Sequence, residues 1–305
     1  MSATIIDGRA MGLALRAELR EDARAYTQQH GMPPQLVIVR VDGDAASGVY
    51  SKAILRIADD IGVKARLEQL PAQTSPAELR SLLLRLNADM QVNGVIVQMP
   101  LPAHLSQKMV ADTLTMEKDI DGICPRSAGN LFLGLPSFLP STAAAVMEIL
   151  ERTQTPLVGR RVVILGRSNV VGKPLAMMLL QKNATVTVCH SRTPELARFT
   201  RAADILIAAV GRAVMVTADM VLPGATVIDV GINARAEGGI IGDVDVLSVR
   251  EVAGAVTPTP GGVGPLTNVL LLKQCIEAAW QQGGGRIKDD ERVEGEVAST
   301  RVNVG

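Results

Sequence analysis

Residues 161–180, RVVILGRSNVVGKPLAMMLL, run from a short apolar, β-rich segment through Gly166 into a helical pattern that packs at Gly172. A glycine at such a turn lets backbone N–H groups approach a pyrophosphate at the helix N-terminus, where the first amides lack partners within the helix. The spacing is not G-x-G-x-x-G, and the alternative is a glycine needed only for the turn itself. The next β-rich run, ATVTVCHSRT (184–193), closes on His190, Ser191 and Arg192. An NAD-preferring site carries an acidic residue near this point to accept from the ribose 2′-OH, and none stands here. Arg192, Ser191 and Arg167 instead suit a 2′-phosphate, because guanidinium matches phosphate geometry. The reading is NADP, against the alternative that Arg192 is a solvated loop charge.

Outward from this unit, strand-like and helix-like segments alternate. QLVIVRV (35–41), NGVIVQMP (93–100), ADILIAAVG (203–211) and ATVIDVG (225–231) are apolar nearly throughout, as strands covered on both faces of a parallel sheet must be. MGLALRAELREDARAY (11–26) and SPAELRSLLLRLNAD (75–89) read as helices, the second with a Ser cap, a Pro in its first turn and an early Glu. The alternation predicts a doubly wound α/β fold. Pro and Gly bracket one helix between residues 133 and 161 before a new strand begins, which predicts a boundary there and a cleft for a small molecule. PTPGGVGPLT (258–267) reads as loop, followed by an apolar helix, NVLLLKQCIEAAW (268–280).

A chain of 305 residues can bury a sizeable core and suggests about two domains. Apolar residues make up 47% but aromatics only 2%, so that core must be aliphatic. Lys+Arg and Asp+Glu number 31 each, which leaves no electrostatic footprint for nucleic acid or an anionic membrane. Cys124, Cys189 and Cys275 are odd in number and lack a CxxC pair, so a reducing compartment is expected and no metal site. The start, MSATIIDGRAMG, has no signal-peptide core and no apolar run spans a bilayer, so a cytoplasmic protein is expected. Residues 283–305, Gly-rich and then charged, are expected to be disordered. His30 and His104 read as surface residues without partners.

GRSNVVGKPLAMMLL, TVTVCHSRT, ADILIAAVG, VIDVGIN, GDVD and PTPGGVGPLT in the second half, with VIVQMPLP and KDIDG in the first, together resemble the methylenetetrahydrofolate dehydrogenase/cyclohydrolase (FolD) family. The resemblance runs in order from about Ile6 to Trp280. It implies a two-domain α/β protein: a folate-binding catalytic domain over 1–140, a Rossmann-type NADP domain over 141–266, and a helix over 267–282 returning to the first. It also implies tetrahydrofolate one-carbon derivatives as substrates, NADP as cofactor, a homodimer and a cleft active site. The dehydrogenase step moves a hydride from 5,10-methylenetetrahydrofolate to NADP+, and the cyclohydrolase step opens the methenyl product to 10-formyltetrahydrofolate.

By that resemblance the catalytic residues are Tyr50, which stacks on the folate, Gln98 and Asp121, which binds the pterin. Ser47, Gly262 and Pro265 join them in holding substrate. The cofactor set is Gly166, Arg167, Ser168, Gly172, His190, Ser191, Arg192, Gly211, Gly231, Ile232 and Thr267. Gln98 closes a strand at the edge where open α/β sheets bind ligands. Asp119 reads as a turn residue beside Gly122.

One position departs. The family pattern is Tyr-x-x-x-Lys, with that lysine credited with proton transfer in hydrolysis, and the chain has Ile54 there. Lys52 points away from Tyr50 on a helix, while Arg56 is too basic to serve as a base. Asp42, Ser127 and Ala143 also differ from the family pattern. Three readings follow: a dehydrogenase with weak or absent cyclohydrolase, a bifunctional enzyme using another base, and a silent NADP-binding paralogue.

Overall fold

The computed structural model describes residues 2–42, 45–235 and 237–284, without the side chains of 45–49. From residue 285 onward, the tail expected to be disordered lies outside the described residues. The first half runs β1 (Thr4–Ile5), α1 (Gly8–His30), β2 (Gln35–Val41), α2 (Ala45–Ile61), β3 (Lys64–Leu70), α3 (Pro76–Ala88), β4 (Gly94–Val97), α4 (Gln107–Thr113) and α5 (Pro125–Leu133). Then come α6 (Ser141–Arg152), β5 (Arg161–Leu165), α7 (Gly172–Gln181), β6 (Thr185–Cys189), α8 (Leu196–Thr200), β7 (Ile205–Ala208) and β8 (Thr226–Asp229). The antiparallel pair β9 (Asn233–Ala234) and β10 (Ile240–Ile241), α9 (Val246–Val249), β11 (Ala255–Val256) and α10 (Gly264–Gln282) complete the chain.

Two parallel sheets carry the fold. In the first, β2 lies between β3 and β4. The second has the order β1-β11-β8-β7-β5-β6. β2 and β4 are buried along almost their whole length, as their unbroken apolar runs require. α3 begins with the expected reciprocal cap: Ser75 accepts from the Glu78 amide while the Glu78 carboxylate accepts from the Ser75 amide. One aliphatic core joins the sheets, running from Leu36 and Ile38 of β2 through Leu266 and Leu272 of α10 to Ile164 of β5 and Leu175 of α7.

Four features differ from the sequence reading. β3, KARLEQL, is an edge strand whose alternating charges hid it, since only one side of such a strand needs apolar cover. β1 hydrogen-bonds into the second sheet, Thr4 opposite Ala255 and Ile5 opposite Val256, although it precedes the first. α10 starts at Gly264, three residues before the expected Thr267, because Pro265 is tolerated in a first turn where amides lack helical partners anyway. Neither His30 nor His104 is without a partner. His30 stacks on Tyr26 at 4.4 Å and meets Trp280 edge-on at 5.6 Å, and His104 Nε2 lies 2.9 Å from the Thr74 carbonyl.

Candidate active site

A cavity of about 410 Å³ opens at the C-terminal end of β4. Tyr50 reaches its wall from α2, Gln98 from the residue after β4, and Asp121 from the loop before α5. Ser141 and Thr142 enter from the first turn of α6, and Val170 from the turn after β5. The sequence brings these together because parallel strands deliver their C-terminal ends to one edge, where the loops diverge. Gln98 is 5% exposed, and its amide N–H donates to the Val39 carbonyl at 2.8 Å, continuing the sheet pairing.

Asp121 accepts from the Ser141 hydroxyl at 3.1 Å, and the Ser141 amide lies 3.5 Å from the same Oδ1. Burial pushes its carboxyl up to about 6; the Ser141 bonds pull the other way, and Asp119 adds a further upward push. The Tyr50 phenol is raised well above its ordinary value, first by desolvation and then by the Asp121 charge. Among the described residues no Lys or Arg lines this cavity, so Tyr50 and Asp121 are its titratable groups.

Asp119 does structural work in the loop. It is fully buried and accepts from the amides of Ile123 at 3.1 Å and Cys124 at 2.8 Å and from the Ser127 hydroxyl at 2.9 Å. Ser127 therefore supports the loop from beneath. Ala143 is fully buried and Asp42 accepts from Gln69 at 2.9 Å, so these three departures lie behind the cavity wall or away from it. Ile54 is 0% exposed and packs in the core, while Lys52 and Arg56 face solvent. Ser47 lies early in α2, where side chains are outside the described residues.

A second cavity of about 410 Å³ lies at the C-terminal ends of β5, β6 and β7. Gly166, Arg167 and Ser168 line it from the turn after β5, His190 and Ser191 from the end of β6, and Arg212 from beyond β7. Gly166 has φ +117°, and a Cβ there would sit 2.1 Å from the Ala209 carbonyl oxygen; a Cβ on Gly172 would sit 2.2 Å from that of Gly166. No larger residue fits either position without moving the backbone. The two glycines therefore let α7 close onto the turn, leaving its N-terminal amides near the cavity.

Buried carboxylates fix the loops beyond. Asp243, 0% exposed, accepts from the amides of Val210 at 2.7 Å, Gly211 at 2.9 Å and Arg212 at 2.8 Å. Asp229 accepts from the amides of Gly231 at 2.9 Å and Asp243 at 2.9 Å, and burial pushes its carboxyl up to about 6.

Other expected residues lie outside the linings of the two cavities. Arg192 is exposed next to Ser191, its amide donating to His190 Nδ1 at 3.2 Å. Ile232 is 65% exposed. The Thr267 hydroxyl donates to the Val263 carbonyl at 3.4 Å inside its own helix. Gly262 and Pro265 approach α1, at Gly8 and Gly12 respectively. Sequence reading missed Ser141, Thr142 and Arg212. A Ser directly after Pro140 at a helix start was the available signal for the first, but its partner lies 20 residues back.

Residues 6–121 match the catalytic domain of tetrahydrofolate dehydrogenase/cyclohydrolase, and residues 140–283 match its NAD(P)-binding domain. The bifunctional protein FolD of Roseiflexus castenholzii is 45% identical over 286 residues, 94% of this chain and 99% of that protein. FolD of Moorella thermoacetica is 46% identical over 279 residues, 92% of this chain and 99% of that one. The crystal structure of FolD from Campylobacter jejuni superposes with a TM-score of 0.90 at 38% identity, covering 92% of this chain and 100% of the other. The Trypanosoma brucei enzyme, solved with NADP cofactor and inhibitor, gives 0.89 at 34% identity over 93% of this chain and 99% of its own. With both halves matched in order and at this identity, the chain belongs to the tetrahydrofolate dehydrogenase/cyclohydrolase family.

Proposed function

We propose that the chain is an NADP-dependent 5,10-methylenetetrahydrofolate dehydrogenase in which the cyclohydrolase step is weak or lost. The observation that carries this reading is the shared turn after β5: Arg167 and Ser168 line one cavity and Val170 lines the other. A folate in the Tyr50–Asp121 cavity and a dinucleotide at Arg167 and Ser191 would then meet across one loop. Hydride transfer asks mainly for that juxtaposition, because the folate nitrogens supply the electrons and the nicotinamide receives them. Tyr50 offers a ring face to the pterin, Asp121 a carboxylate acceptor for its N–H groups, and Gln98 an amide that orients the reacting end. Arg167, Ser191 and the neighbouring Arg192 are the residues for a 2′-phosphate, and Arg212 lines the same cavity as the first two.

Hydrolysis asks for more. Adding water to the methenyl cation requires a group that takes a proton from that water and returns one to a folate nitrogen. Such a group contributes roughly a hundredfold to ten-thousandfold. With Ile54 in the core and no amine on the cavity wall among the described residues, the share of that contribution credited to the family's lysine has no source. The assignment of 1–140 with the returning helix to folate and 141–266 to NADP, a homodimeric assembly and a cytoplasmic location belong to the same proposal; no helix among the described residues is long and apolar enough to cross a membrane.

Two assays on the purified protein test it: NADP+-linked oxidation of methylenetetrahydrofolate, and hydrolysis of methenyltetrahydrofolate. Oxidation is expected to be measurable, with the methenyl compound accumulating and hydrolysis running little above the spontaneous rate. Ile54→Lys is expected to raise hydrolysis specifically. Hydrolysis by the unmodified protein as fast as oxidation would refute the Ile54 reading and point to Asp121, the cavity's raised carboxyl, as the base.

A further inference from the structure

α6 begins without a side-chain cap of its own, because the residue before it is Pro140. The acceptor arrives from another segment: Asp121, 20 residues earlier, presents Oδ1 to both the hydroxyl and the amide of Ser141. Gln274 of α10 holds the two segments in register, accepting from the Leu139 amide at 2.6 Å and donating to the carbonyls of Ile120 and Leu139, each at 2.9 Å. Asp121 and Ser141 both line the folate-side cavity, and Ser141 is 6% exposed. From this arrangement we propose that Ser141 is a positioning residue that holds the Asp121 carboxylate as a hydrogen-bond acceptor for the substrate ring. The inference rests on the dehydrogenase reading and adds a residue to it.

The physical case has two parts. A hydroxyl donating to a carboxylate favours the charged form and fixes its rotation, and the partial positive charge at a helix N-terminus acts the same way. Both contacts fall on Oδ1, so Ser141 leaves the second oxygen unengaged. Without them, burial and the Asp119 charge would act on Asp121 unopposed and the carboxyl would protonate at higher pH, losing an acceptor where the ring needs one. The titratable groups facing Asp121 are Tyr50 from α2 and Asp119 from its own loop. Neither supplies a positive charge.

The test is a titration of the Asp121 carboxyl by NMR of ¹³C-labelled aspartate, assigned with Asp121→Asn, in wild type, Ser141→Ala and Ser141→Cys. Ser141→Ala is expected to raise the midpoint by roughly one pH unit. Ser141→Cys should fall between, since a thiol is a weaker donor of similar shape. The acid limb of tetrahydrofolate affinity should move by the same amounts. NADP+ affinity reports whether each variant is folded, and Ser141→Cys carries the comparison if Ser141→Ala is not. An unmoved midpoint overturns the proposal. So does a loss of tetrahydrofolate affinity by one constant factor at every pH, the mark of a merely structural residue. Because the carboxyl titration needs no ligand, a wild type that binds no tetrahydrofolate would count against the dehydrogenase reading separately.

Discussion

Asp121 holds a carboxyl raised from 3.8 to about 6, and that shift has a direction in stability. Between these values the folded chain binds the proton that the unfolded chain releases, so stability falls as pH rises through the interval. The penalty is complete above about pH 6 and absent below about pH 4. Asp121→Asn keeps the shape and an oxygen for Ser141, and removes the charge. It is expected to stabilise the unliganded protein at pH 8 by about 1–2 kcal/mol, with no gain at pH 4, while folate turnover collapses. Urea unfolding at the two pH values measures this, and a variant less stable at pH 8 would show that the carboxylate is favourably held. On the cofactor side, if Arg192 holds the 2′-phosphate as proposed, Arg192→Ala removes a charge-assisted contact of roughly 1.5–3 kcal/mol. NADP+ binding should weaken by tenfold or more and NAD+ binding hardly at all; equal losses in calorimetric titrations would dissolve the phosphate pocket.

The elements gather these residues, and α10 does much of the gathering. Its Gln274 is 6% exposed and bonds three backbone groups, at Ile120 and Leu139, directly beside Asp121 and Pro140. Gln274→Leu fills the space but strands buried polar groups. It is expected to lose roughly 2–4 kcal/mol of stability and to weaken folate binding more than NADP+ binding. Denaturation midpoints and separate ligand titrations check both; an unshifted midpoint would mean that water replaces the amide. The apolar strands β2, β4, β5, β7 and β8 and the capping box of α3 were legible because their causes are local: period, caps and breakers. The turn after β5 was legible for the same reason, its two glycines marking the close approach. The strand β3 and the Ser141–Asp121 bond were not. β3 is held by its neighbour β2 rather than by its own pattern, and the bond joins residues that only α10 brings together. His30 was misread likewise, since its ring meets Trp280 from the far end of the chain.

At the scale of the whole molecule, two sheets with separate tasks share one core. The same aliphatic cluster includes Ile38 of β2, Ile164 of β5 and Leu272 of α10. β1 crosses from the start of the chain into the second sheet, and Arg152 of α6 grips Glu18 of α1 through two hydrogen bonds of 2.9 and 2.7 Å. Separating the halves would open this core, so they are expected to unfold together. The chain's single tryptophan, Trp280, makes this testable. It sits on α10 against Tyr26 and His30 of α1, far in sequence from the turn after β5 proposed for NADP+. If unfolding is one cooperative step, NADP+ at a hundred times its dissociation constant should add about 2.7 kcal/mol to the stability reported by Trp280 fluorescence. The same shift should appear in far-ultraviolet circular dichroism. If circular dichroism shows a ligand-stabilised second transition while the Trp280 midpoint stays fixed, the halves unfold independently, and the shared core does not couple substrate side to cofactor side.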